Sequence, residues 1–150
     1  MNWSSYVNEN LYFTRLQLTL LQNAQAIPQQ MAAEYSAVFF LHRAYVGFLN
    51  ELAQKRRVKE QVRDLTELEK RLEVESAEVR QLKRARDENG WLAQLDSLVD
   101  EHSRPRVVNA DKGDNIIAAS GDASKATEID QILVAMKRCF NDLRETSTEF

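Results

Sequence analysis

Apolar side chains recur at steps of three and four almost without pause across the first 100 residues, where one proline and two glycines are the only breakers. That period places side chains on one face of an α-helix. A first helix is predicted over about residues 5–26, with Ser4 or Ser5 as N-cap, and Pro28 opens a second where its missing N–H is not needed. The second, about 28–57, carries Met31, Tyr35, Val38, His42, Tyr45, Leu49 and Leu52 as one stripe, with Ala37, Phe40, Leu41, Ala44 and Phe48 on another face. The first repeats this pattern: Phe13, Leu16, Leu20, Ala24 and Ile27 lie on one side, and Leu11, Leu18 and Leu21 on another. A helix apolar on two sides belongs inside a bundle or at a subunit interface, so these two are expected to form a central hairpin.

A third helix, from about Val58 or Asp64 to Arg86, has a narrower stripe of Leu65, Leu68, Leu72, Val79 and Leu82. Neither proline nor glycine separates it from the second, which leaves a continuous rod open, although a break is favoured. Asn89-Gly90 is a helix stop, and a short helix over about 91–102 follows, ended by Pro105. Residues 104–121 lose the helical period and read as a long loop. The pairs Val107-Val108 and Ile116-Ile117 offer a short β-hairpin as the alternative. A last helix, from about Ala123 or Thr127 to Glu145, turns Ile129, Ile132, Leu133, Met136, Phe140 and Leu143 to the core. The expected fold is all-α, a single-domain bundle of four to five helices.

Charge is uneven along the chain. Residues 1–50 hold only Glu9, Arg15, Glu34 and Arg43, whereas 51–86 hold eight acidic and eleven basic residues. The net charge of −3 argues against a dedicated nucleic-acid binder, which needs a positive excess to neutralise phosphates. Cys139 is the single cysteine, so no internal disulfide forms and a multi-thiolate zinc site is excluded. No secretory signal is legible at the N-terminus, and glutamines and Pro28 interrupt the uncharged stretch 16–33 too often for a membrane span. A reducing cytoplasm is the expected setting.

Candidate chemistry is sparse. His42 lies on an apolar stripe between Tyr35 and Tyr45, where it reads as a core histidine or as the polar contact of a tyrosine-lined pocket. His102, at a helix end after Asp100 and Glu101, reads as a partly exposed cation favoured by the helix dipole. Phe39 and Val99 stand three residues before the two histidines, so the Glu-x-x-His spacing of helical metal sites is missing and no metal or cofactor is expected. Cys139 shares a face with Ile132 and Met136 and reads as an inert core thiol. Gly113 and Gly121 lack the Gly-Lys-Ser/Thr ending of a phosphate loop. Two basic runs remain, Lys55, Arg56, Arg57, Lys59 and Arg63, then Arg80, Lys83, Arg84 and Arg86. They read as solvated edges balanced by neighbouring glutamates, or as contacts to phosphates or an acidic partner.

Leu11-Tyr12-Phe13 and the segment Phe40-Leu41-His42-Arg43-Ala44-Tyr45-x-x-Phe48-Leu49-x-Glu51-Leu52 resemble a family of small uncharacterised bacterial helical proteins. That resemblance implies a bacterial cytoplasmic origin and assigns no site. The helical hairpin is also similar to the HEPN superfamily of nucleotide-binding and RNase domains. That family's nuclease signature would need arginine at 35–37 or 95–97, where this chain has Tyr35, Ser36, Ala37, Leu95, Asp96 and Ser97. A non-catalytic relative is all that the likeness implies. The function expected is therefore a non-enzymatic interaction protein pairing with a second copy, or another protein, through an uncovered face of the first two helices. Nucleic-acid or nucleotide binding through the arginine-rich edges, and a small-molecule pocket at Tyr35, His42 and Tyr45, are the alternatives.

Overall fold

The computed structural model describes residues 1–106 and 122–148. Every regular element among them is a helix: α1 (Trp3–Asn23), α2 (Ile27–Lys55), α3 (Leu65–Arg71), α4 (Ala77–Asp87), α5 (Trp91–His102) and α6 (Asp122–Thr148). The predicted loop or hairpin falls largely on 107–121, outside the described residues.

α2 is the axis of the fold. α1 runs antiparallel along it, bringing Tyr6 and Val7 against Gly47 and Phe13 against Phe40. A Cβ at Gly47 would stand 2.7 Å from the Tyr6 ring, so only glycine allows the helices this close. α6 and α5 pack on the other flanks of α2. The centre of the core is aromatic: the Phe48 and Phe140 rings stack at 3.9 Å, and Trp91 meets Phe140 and Tyr45 edge-on.

Two carboxylates on α2 are buried, and each meets a cation from elsewhere in the chain. Arg144 of α6 clasps Glu51 in bidentate fashion, at 2.8 and 2.9 Å, and donates also to Asn8 of α1. Glu34 meets His102 of α5. Arg15 on α1 reaches Asp130 on α6 at 2.8 Å.

The predicted third helix is two helices with a break at 72–76, and it is not continuous with the second. Ser76 accepts a hydrogen bond from the Val79 N–H and so starts α4, just as Asp64 starts α3 through the Glu67 N–H. α2 stops without glycine. The N–H groups of Arg57 and Val58 turn back to the carbonyls of Gln54 and Ala53, and Arg57 itself takes the left-handed conformation (φ 62°) that glycine usually supplies. Asn50 explains the stop, because its side chain exchanges two hydrogen bonds of 2.9 Å with the Val62 backbone and draws the chain back onto α2. α1 begins earlier than predicted, capped by Asn2 accepting from the Ser5 N–H. Asn89, at φ 56°, follows α4, so the Asn89-Gly90 stop is borne out.

The predicted central hairpin is only half enclosed. α2 is covered, whereas α1 buries Val7, Leu11, Leu18 and Leu21 and leaves Leu16 and Leu20 in solvent. Leu41 is fully buried on the enclosed helix. We expect Leu41→Ala to lower the unfolding free energy by about 2–5 kcal/mol in chemical denaturation, whereas Leu16→Ala should change it by less than about 1 kcal/mol.

Candidate functional site

Tyr35 and His42 come together on the structure, and Tyr45 does not join them. Spaced seven apart on α2, the first two line a groove of about 450 Å³ between α2 and the last turn of α5, walled by Val38, Phe39 and Val99. Tyr45 lies one turn beyond His42 and is only 5% exposed. Its ring packs against Trp91, and burial pushes its phenol well above the usual tyrosine range. It is a core residue because Trp91, at the start of α5, closes over that turn of α2.

Sequence reasoning missed the two groups that make the groove chemically distinctive. His102 is not an exposed cap. Its side chain is 10% exposed, and Nε2 lies 2.7 Å from Oε2 of Glu34, itself 2% exposed. The Arg106 guanidinium stands 3.7 Å from the other carboxylate oxygen. The Tyr35 and His102 rings stack nearly parallel, with centroids 4.1 Å apart and planes 6° apart, and so fix the plane of the imidazole. Nδ1 of His102 is buried and has no hydrogen-bond partner among the described residues. The signal in the sequence was Glu34, the only acid between Glu9 and Glu51 on two otherwise apolar helices.

His42 is half-buried in the same groove. Burial, opposed by the nearby Asp96 carboxylate, lowers its pKa and keeps the ring neutral at pH 7. Burial likewise raises the pKa of Asp96, against the pull of His42 and Arg86. Cys139 is buried, and desolvation pushes its thiol up to about 11, so no thiolate is offered for chemistry at neutral pH. Among the described residues no three histidine, cysteine or acidic side chains gather as a metal would need, and no helix is long and apolar enough to cross a membrane.

The basic runs divide between several partners. Lys55 pairs with Glu51 at 3.9 Å, Arg56 with Glu78 at 3.1 Å and Arg63 with Glu67 at 3.4 Å. Lys83 lies between Glu69 and Glu75, and Arg86 is held by Asp87 at 2.9 Å. Arg57 and Lys59 line an open cleft at the turn after α2, together with Lys70, Arg71 and two glutamates. Arg80 and Arg84 are exposed on α4. The nine cations do not form one continuous basic surface.

The outer face of the α1–α2 hairpin is the remaining candidate. Tyr12, Leu16 and Leu20 line up at four-residue steps on α1, opposite its buried row, and are 43–60% exposed. Phe39 of α2, 54% exposed, lies at the rim of the groove. Arg43 lies over the Tyr6 and Phe39 rings, 5.4 Å from each centroid.

The chain belongs to a family of unknown function, DUF6586, whose model matches residues 1–150. The expectation of an uncharacterised family is thereby borne out. No curated protein and no solved structure matches the chain.

Because the folded pKa of His42 lies below its ordinary 6.5, the unfolded chain takes up this proton first as pH falls. Stability is therefore lost as pH drops below 6.5 towards the folded value, and this loss then levels off. Urea denaturation at pH values between about 7.5 and 5.5 should show a steeper fall for the wild type than for His42→Gln, by less than one proton in slope. Identical slopes would mean that burial does not lower the pKa of His42 beyond what Asp96 restores.

Proposed function

We propose that the protein is a non-enzymatic helical interaction module that pairs with a second copy of itself through the outer face of α1 and α2. The observation that carries this is the row Tyr12, Leu16 and Leu20 on α1, which together with Phe39 of α2 leaves four large apolar side chains of the hairpin in water. An exposed apolar patch of this kind usually meets a partner.

Charge supports the same conclusion. Between residues 1 and 50 the charged side chains are Glu9, Arg15, Glu34 and Arg43. Arg15 is committed to Asp130 and Glu34 is buried, so little ionic desolvation opposes contact on the outer face. Arg43 between Tyr6 and Phe39 is the kind of arginine–aromatic cluster that interfaces concentrate. Size supports it as well. A 21-residue helix is about 30 Å long, and a face two helices wide covers about 600 Å², close to the ~800 Å² that each partner of a stable pair buries. A twofold axis across this face would set each row against its own copy.

In this proposal α1, α2, α5 and α6 are the main members of a four- to five-helix bundle, with α3 and α4 as its edge. The buried, unpaired Cys139 supports a reducing cytoplasm as its setting. The arginine-rich edges support a nucleic-acid role less well, because Lys55, Arg56, Arg63, Lys83 and Arg86 are already met by acids of the same chain.

Light scattering across about 1–100 μM should give a mass twice the 17.3 kDa of one chain. The double variant Leu16→Glu and Leu20→Glu should return the single-chain mass with unchanged helical content. A wild-type protein that stays at one chain at the top of that range would overturn the proposal.

A further inference from the structure

We propose that the cleft between the turn after α2 and the end of α3 binds a compact polyanion, a small molecule with at least two phosphoryl groups, through Arg57, Lys59 and Lys70.

Residues 56–60 and 70–74 line one open cavity of about 730 Å³, and five of them are cations against two acids. Arg56 is held by the buried Glu78 at 3.1 Å, and Arg71 by Glu60 at 3.8 Å. Arg57, Lys59 and Lys70 make no ion pair among the described residues. The chain as a whole carries a net charge of −3, so three unmet cations in one cavity are a local excess that concentrates an anion there.

Arg57 stands in the left-handed region, at φ 62°, a conformation that is strained for any residue with a Cβ and free for glycine. The turn holds it there through the Arg57 and Val58 N–H groups, bonded back to Gln54 and Ala53, and through the Asn50–Val62 pair. Its side chain forms no hydrogen bond or ion pair among the described residues to offset the strain. Nor is its charge needed to close the helix, because the N–H groups of residues 56–58 already meet the last carbonyls of α2. A strained backbone beneath an unpartnered guanidinium points to a side chain held out for a ligand.

Charge selects the ligand. A phosphate monoester carries about −1.5 to −2 at pH 7, so a second phosphoryl group is needed to meet three cations. Guanidinium forks suit phosphoryl oxygens in particular. A long nucleic-acid strand fits poorly, because the basic runs do not join into a track and Glu60 and Glu73 interrupt the cleft. Glu73 makes no ion pair among the described residues and opposes the anion from within the site. Val74, in the same lining and 80% exposed, gives an organic carrier an apolar contact. The proposal does not depend on pairing between copies.

The test titrates inorganic pyrophosphate, ADP, adenosine, citrate and a single-stranded oligothymidylate into the full chain in magnesium-free buffer, followed by calorimetry and amide nuclear magnetic resonance. Pyrophosphate and ADP should saturate, with amide shifts confined to residues 56–60 and 70–74, and adenosine and citrate should bind at least about tenfold more weakly. Tighter binding of ADP would assign an organic diphosphate, and equal or tighter binding of pyrophosphate the inorganic ion. Arg57→Gly keeps the turn, since glycine takes φ 62° without strain, and should weaken pyrophosphate about tenfold while the urea midpoint does not fall. Lys70→Ala should weaken it similarly, and Glu73→Gln should strengthen it. Arg80→Ala and Arg84→Ala, exposed on α4, should change nothing. No saturation, citrate as tight as pyrophosphate, shifts outside the cleft, an equal loss on removing Arg80 or Arg84, or an oligothymidylate that outbinds both phosphates would each overturn the proposal.

Discussion

The enclosure of α2 is the constraint on which the rest of the structure depends. Its 29 residues present buried side chains on several flanks, from Ala33 and Val38 through Leu41 and Phe48 to Leu52. A helix of that kind is stable only when neighbours cover it, because each exposed leucine or phenylalanine forfeits about 1.5–3 kcal/mol of burial. α1, α5 and α6 are those neighbours, and the stack of Phe48 on Phe140 lies where two of the helices meet.

Apolar burial has little direction, and the two buried acids of α2 supply what it lacks. Glu51 accepts the fork of Arg144 and Glu34 pairs with His102, so each acid sets where one neighbouring helix lies along α2. Neither pair is strong support for stability, since desolvation offsets most of the Coulomb attraction. Their effect is on register. Asn50 acts similarly on the backbone, drawing Val62 towards α2 and ending the helix at Lys55.

Function is sought where this enclosure stops. The row of Tyr12, Leu16 and Leu20 is the side of α1 that no helix among the described residues covers, and the groove is the seam that α5 leaves beside α2. Phe39, at the rim of the groove, is the exposed large ring of α2. The arginine-rich turn and α4 spend much of their charge on the chain's own glutamates.

Periodicity alone determined that the chain is helical, that α2 is apolar on two sides, that Asn89-Gly90 separates two helices, and that the last helix buries the row from Ile129 to Leu143. These are local matters, decided by which residues share a face and which cannot continue a helix. Tertiary structure decided the remainder. Tyr45 fell from the candidate site into the core because Trp91 of α5 closes over it, and Leu16 and Leu20 stayed in water because no third helix among the described residues reaches them. Arg57 could take a glycine's conformation because Asn50 and Val62, twelve residues apart, are joined by side chain and backbone. The Glu34–His102 pair was out of reach for the same reason: its members stand 68 residues apart, and no spacing rule connects them until packing does.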